Sequence, residues 1–226
     1  MSVIEQIIST FAPHTCLSCG TEHNRLLCEA CTASLPTCPS RCYRCHATTR
    51  GYRVCAGCKR DTPLRTVIVA TPYDAEAKEL LHAAKYERAR SGLDEIADFL
   101  TPLAREFLPD DVLFIPVPTA SSRVRQRGYD QAELMVRRLS FTLKKPWTKL
   151  LIRCGQEHQV GANRAARTAH VRDAFRIIHS DRVKGAHIVL VDDVVTTGAT
   201  IEEAARTLRR AGASSVDALL FCQPTR

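Results

Sequence analysis

Residues 187–200, HIVLVDDVVTTGAT, join two adjacent carboxylates to three hydroxyls and a glycine. Thr196, Thr197 and Thr200 are hydroxyl donors, and Gly198 lets a ligand come close to the backbone. The amides opening the helix after this loop point at whatever sits there, which favours a phosphate. Asp192 and Asp193 close the apolar run before this loop. Carboxylates held side by side are costly unless they accept hydrogen bonds or meet a cation, and the 2′- and 3′-hydroxyls of a ribose with Mg2+ supply both. The stretch therefore reads as an anion cradle beside a sugar-holding pair of acids. The acidic strand end of a P-loop NTPase looks similar, but GxxxxGK[ST] occurs nowhere in the chain.

Cysteine supplies a second chemistry. Nine of the eleven cysteines lie between Cys16 and Cys58, and CxxC turns are formed by Cys16 with Cys19, Cys28 with Cys31, Cys42 with Cys45, and Cys55 with Cys58. Each turn aims two thiolates at one point, and two turns complete a tetrahedral set for zinc. Two four-cysteine sites follow, or one crossed pair of sites. Cys38 lies near enough to the second group to replace one of its members, and His23 and His46 are near enough to compete. Disulfides are disfavoured in a sequence with no secretory signal, and a thioredoxin-like redox centre uses one CxxC turn. Four thiolates leave no open position for water, so the zinc is expected to be structural, replacing the core that about 45 residues cannot bury.

The elements that must position these groups follow a break in composition. Residues 1–62 form a cysteine-rich segment, and residues 63–226 alternate apolar runs with helical spacing, the pattern of an α/β domain with a mainly parallel sheet. Strands are expected at 67–70, 112–117, 187–191 and 216–221. Helices are expected at 75–84, 94–107, 131–143 and 201–211, the last stopping before Gly212. Sheets of this kind bind ligands at the carboxyl ends of their strands, where the acids and the threonine loop fall.

VLVDDVVTTGAT resembles the phosphoribosyl pyrophosphate signature of type I phosphoribosyltransferases. Together with the amino-terminal cysteine turns, IPVPTASSRVRQRGYDQAEL and QVGANRAARTAHVRDAF occur in the order found in the ComF family, of the ComFC and GntX type, and the resemblance spans nearly the whole chain. It implies a type I phosphoribosyltransferase-like parallel sheet with helices on both faces, joined to a zinc-binding segment. It implies binding of phosphoribosyl pyrophosphate with Mg2+, and a role in DNA uptake during natural transformation through handling of internalised single-stranded DNA. Partners implied by that role are a competence helicase or recombination proteins. Two positions depart from the family pattern: Asp130 stands where Asn is usual after RG(F/Y), and His170 where Asn is usual before Val171.

Two basic loops complete the expected site. Arg123, Arg125 and Arg127 precede Gly128, after the strand ending at residues 116–118, where guanidinium groups can meet a pyrophosphate bidentately; alternate arginines in a solvated loop are the plain alternative. Residues 159–172 carry Arg164, Arg167 and Arg172 where related transferases have a mobile lid. Closing it would exclude water and bring arginines to the departing pyrophosphate. Lys85 resembles a family lysine that contacts pyrophosphate, and a surface lysine reads the same way. No residue names the acceptor.

Lysine and arginine outnumber acids 32 to 24, for a net charge of +8, which suits nucleic acid or phosphorylated ligands as well as a merely soluble surface. Arg41, Arg44, Arg50, Arg53, Lys59 and Arg60 surround the second pair of cysteine turns. Aromatic residues are only 6%, with one tryptophan, so stacking platforms are few beyond Tyr43, Tyr52 and Tyr129. No run is long enough to span a bilayer, and the first dozen residues lack the basic start of a signal, so membrane insertion is not expected and the cytoplasm is the expected compartment. Three functions compete: a phosphoribosyl pyrophosphate-binding transferase or former transferase, a non-catalytic single-stranded nucleic-acid adaptor whose loop grips DNA phosphates, and a regulator that senses phosphoribosyl pyrophosphate.

Overall fold

The computed structural model describes residues 14–86, 90–154 and 174–224; the expected lid, with Arg164, Arg167 and His170, lies outside them. Strands β1 (His14–Thr15) and β2 (Glu22–His23) pair antiparallel beside the first cysteine turn. Helix α1 (Glu29–Ser34) begins within the second, with the Cys28 sulfur accepting the Cys31 N–H as its cap. A short 3-10 turn (Arg50–Tyr52) leads to the main domain. There the order is β3 (Val67–Pro72), α2 (Ala75–Tyr86), α3 (Ser91–Phe107), β4 (Val112–Pro116), α4 (Ser121–Arg127), α5 (Gln131–Leu143), β5 (Leu151–Arg153), β6 (Phe175–Ile177), β7 (His187–Val194), α6 (Ala199–Arg210) and β8 (Ser215–Gln223).

Four strands form a parallel sheet in the order β3-β8-β7-β4. The central strands read as continuous apolar runs because both their faces are covered. On one face α2, α3 and α5 bring Leu81, Ile96, Leu100 and Met135 onto Ile68, Phe114, Val189 and Phe221. On the other, α6 and the β5–β6 ribbon bring Ala204, Leu208, Leu151 and Phe175 onto Val69, Ile115, Leu190 and Leu220. Among the described residues no helix is long and apolar enough to cross a membrane.

The cysteine-rich segment straddles this sheet. Cys16, Leu26 and Leu27 join the core of the α2–α3 face, whereas Cys42, Tyr43 and Val54 join that of the α6 face. Between them the chain crosses the free edge of β3, where the Cys38 N–H donates to the Ala70 carbonyl at 2.9 Å and the Val54 N–H to that of Arg65 at 3.0 Å. An edge strand that would otherwise offer bare backbone to another chain is thereby covered.

Three expectations need correction. Residues 121–127 are a helix, not a loop: Val124 is the one apolar residue among them, too few to show a period, and the turn is closed by Gly128 at φ 83°, whose N–H donates to the Val124 carbonyl. Strand β7 runs on through Val194, so Asp192 and Asp193 lie within the strand rather than after it. The ribbon β5–β6 is antiparallel and interrupts the βαβ alternation.

Glu95 of α3, buried among the apolar residues of that face, accepts the Leu26 N–H at 2.6 Å and the Leu27 N–H at 3.1 Å, fixing the first cysteine turns to the domain. Replacing it with alanine leaves two buried amides unpaired, at about 1–3 kcal/mol each. Glu95→Ala is therefore expected to cost about 2–6 kcal/mol in urea unfolding, and Glu95→Gln, which keeps one acceptor oxygen, less.

Candidate sugar-phosphate site and metal centres

Strand β7 carries Asp192 and Asp193 to the carboxyl edge of the sheet, and the chain then enters α6 through Thr196, Thr197 and Gly198. Thr196 and Thr197 are exposed, whereas Ala199 and Thr200 are half-buried. Gly198 adopts φ 81°, a left-handed conformation that turns the chain into the helix, and a β-carbon there would stand 2.7 Å from a ring carbon of Tyr43. The Thr197 hydroxyl accepts the Ala199 N–H at 3.4 Å. The first-turn acid, Glu202, is held by three donors: Tyr43 and Arg44 on one oxygen and Arg206 on the other. Its charge is thus answered by these donors, so the opening amides of α6 remain favourable for an anion.

The two acids behave differently. Asp193 is paired with the Lys85 ammonium from the last turn of α2. Burial, and then the Asp193 charge, holds Asp192 well above the ordinary carboxylate range, although the Asp193 N–H donates to it at 2.9 Å and Lys85 lies near. Asp130, where the family pattern has Asn, adds a smaller push in the same direction. Its carboxylate also caps α5 through the Glu133 N–H and accepts the backbone N–H and hydroxyl of Thr119, so the departure has a local structural use.

Arg125 and Arg127 lie on α4 and, with Arg90, Gly128 and Tyr129, line a cavity of about 290 Å3. Tyr129 donates to the Ala84 carbonyl, one residue before Lys85, which ties this cavity to the end of α2. A residue without sequence signal also comes near the acids: Arg153 of β5. Its pKa is lowered by burial and then by the Arg123 charge, while Asp192 opposes the shift. A lone arginine in a three-residue strand gives no pattern to read.

The eight cysteines form two sets. Cys16, Cys19, Cys28 and Cys31 have their sulfurs within 4.8 Å of one another, as do Cys42, Cys45, Cys55 and Cys58. Sulfur pairs at 3.8 Å (Cys19 and Cys28) and 3.5 Å (Cys45 and Cys55) lie near the edge of about 3.8 Å that a tetrahedron with Zn–S bonds of about 2.3 Å requires. Among the described residues these are the two clusters of metal donors, and they contain neither Cys38 nor His23 or His46. All eleven cysteines are free thiols. Within the second set, Cys42 is brought down to about 6, its burial outweighed by hydrogen bonds from the Cys55, Cys45 and Arg44 amides, while the Cys45 and Cys55 sulfurs push Cys58 up to about 12. Four thiolates so close need a cation to ionise together, and the donor set fits zinc in a closed tetrahedral site.

A family model described as "Phosphoribosyl transferase domain" matches residues 97–225. DNA utilization protein YhgH of Escherichia coli O157:H7 is 30% identical over 214 residues, covering 87% of this chain and 90% of that protein. Competence protein ComFC of Bacillus subtilis (strain 168) is 27% identical over 199 residues, with 87% and 78% covered. Among solved structures, orotate phosphoribosyltransferase from Aeropyrum pernix is similar at 22% identity and a TM-score of 0.40, over 65% of this chain and 64% of its own. With the signature strand and loop inside the matched region and the cysteine sets ahead of it, the chain belongs to the phosphoribosyl transferase family and, within it, to the ComF group.

Proposed function

We propose that this chain binds phosphoribosyl pyrophosphate with Mg2+ and acts on internalised single-stranded DNA, with one structural zinc in each cysteine set. The observation that carries the reading is the junction of β7 and α6, where two carboxylates and an anion cradle meet at the carboxyl edge of a parallel sheet. The cradle suits the 5′-phosphate, and Asp192 and Asp193 suit the ribose hydroxyls. Their hard oxygens also fit Mg2+, which would offset the charge of the pyrophosphate. Arg125 and Arg127, with Arg164 and Arg167 of the expected lid, supply the cations that a departing pyrophosphate needs if the sugar is transferred.

A second reading, the non-catalytic adaptor, is favoured by one observation. Arg41, Arg50, Arg53, Lys59 and Arg60 are all exposed around the second cysteine set, while Arg44 is engaged with Glu202. A basic face of that kind suits a nucleic-acid backbone. The names of the relatives, one for DNA utilization and one for competence, agree with either reading.

Calorimetric titration with phosphoribosyl pyrophosphate and Mg2+ is expected to show one site per chain, and an Asp192→Asn/Asp193→Asn variant that still folds is expected to lose it. Absence of heat from the wild type would remove the sugar-phosphate reading. Single-stranded DNA binding is expected to weaken steeply with salt, and the changes Arg50→Gln, Arg53→Gln and Lys59→Gln should flatten the slope by about 0.7 for each phosphate left without its cation. Metal analysis of the purified chain is expected to give two zinc ions, and a chelator that removes them should unfold residues 14–62.

A further inference from the structure

Tyr43 sits inside the CYRC turn, between the ligand positions Cys42 and Cys45, yet its side chain belongs to the phosphate loop. It is buried, and its single phenolic proton is donated to Glu202 Oε1 at 2.6 Å. The Thr62 hydroxyl, 2.8 Å away, is then the donor in the second contact of the phenol oxygen. Its ring stands where a side chain at residue 198 would go, so ring and glycine fit as a pair. Its backbone carbonyl accepts a hydrogen bond from the side-chain amide of Gln223, at the end of β8, at 3.3 Å. Arg44 of the same turn donates to Glu202 Oε1 at 2.7 Å. One CxxC turn thus touches the first turn of α6, the glycine before it and the adjoining strand end.

We infer that Tyr43 is a positioning residue for the phosphate cradle, and that the second cysteine set, closed on its metal, is therefore part of the sugar-phosphate site while the first set is not. The inference rests on the reading of the site proposed above. Gly198 has no side chain to fix its left-handed turn, and the hydroxyls around it are short, so the loop depends on outside contacts to keep its amides aimed. Tyr43 supplies them through shape at Gly198 and charge-assisted hydrogen bonding at Glu202. The first set touches α3 through Glu95 instead, away from the loop.

The test compares wild type, Tyr43→Phe, Glu202→Gln and, as a control for loss of a hydroxyl in the same segment, Tyr52→Phe, whose phenol donates to the Cys38 carbonyl. Zinc content is measured in each. Amide hydrogen exchange of residues 194–203 is read without ligand, followed by titration with ribose 5-phosphate. Tyr43→Phe and Glu202→Gln are expected to keep both zinc ions and the protection of β3 and β8, to exchange about tenfold faster in 194–203, and to bind ribose 5-phosphate about 5- to 20-fold more weakly. Tyr52→Phe should change neither. Cys58→Ser, which opens the second set, should speed the same exchange, and Cys31→Ser in the first set should not. Wild-type exchange in 194–203 for both Tyr43→Phe and Glu202→Gln would overturn the inference, as would equal effects of Cys31→Ser and Cys58→Ser. Should the wild type bind no ribose 5-phosphate, the proposed ligand fails, while the exchange rates still decide whether Tyr43 holds the loop.

Discussion

Two carboxylates side by side at the end of a buried strand repel one another, and much of the surrounding structure answers that repulsion. Lys85 neutralises Asp193 from the end of α2, and a backbone amide is turned onto Asp192. Even so, Asp192 stays well above the ordinary carboxylate range. An arrangement kept this costly is one in which a ligand with hydroxyls to donate gains most, because it supplies what the protein leaves incomplete.

The cysteine-rich segment solves a different problem by the same kind of compensation. It is too short to bury a core of its own, so it borrows one from each face of the sheet and gathers its turns into two four-sulfur sets that fit zinc. In exchange it closes the β3 edge and braces α6. Its two halves have unlike attachments, a buried carboxylate for the first and a tyrosine with an arginine for the second.

What could be read from the sequence divides along physical lines. The four sheet strands announce themselves because burial on both faces demands continuous apolar runs, and the cysteine sets because two CxxC turns together aim four sulfurs at one point. The acids and threonine loop were legible since their chemistry is packed into adjacent positions. Helix α4 was hidden by its charge, having a single apolar residue to mark its period. The β5–β6 ribbon was hidden by its length, three residues a strand, and Arg153 along with it. Tyr43 looked like a candidate for stacking on a base; in the folded chain its ring is buried against Gly198, because its partner lies 159 residues away and no local pattern encodes that distance. Cys38, which lay close enough in sequence to compete for metal, lies outside both cysteine sets, its backbone N–H bonded to Ala70 of β3.

The contact between the Tyr43 carbonyl and Gln223 joins positions 180 residues apart. In chain order the strand and helix that receive the second set follow it with most of the larger domain in between. Until these are made Tyr43 has no surface to cover, whereas Leu27 can already meet α3. Docking of the second set therefore spans a far longer sequence separation than docking of the first set onto α3. A chain cut short before β8 would keep its cysteine turns but lack the strand on which one of them comes to rest.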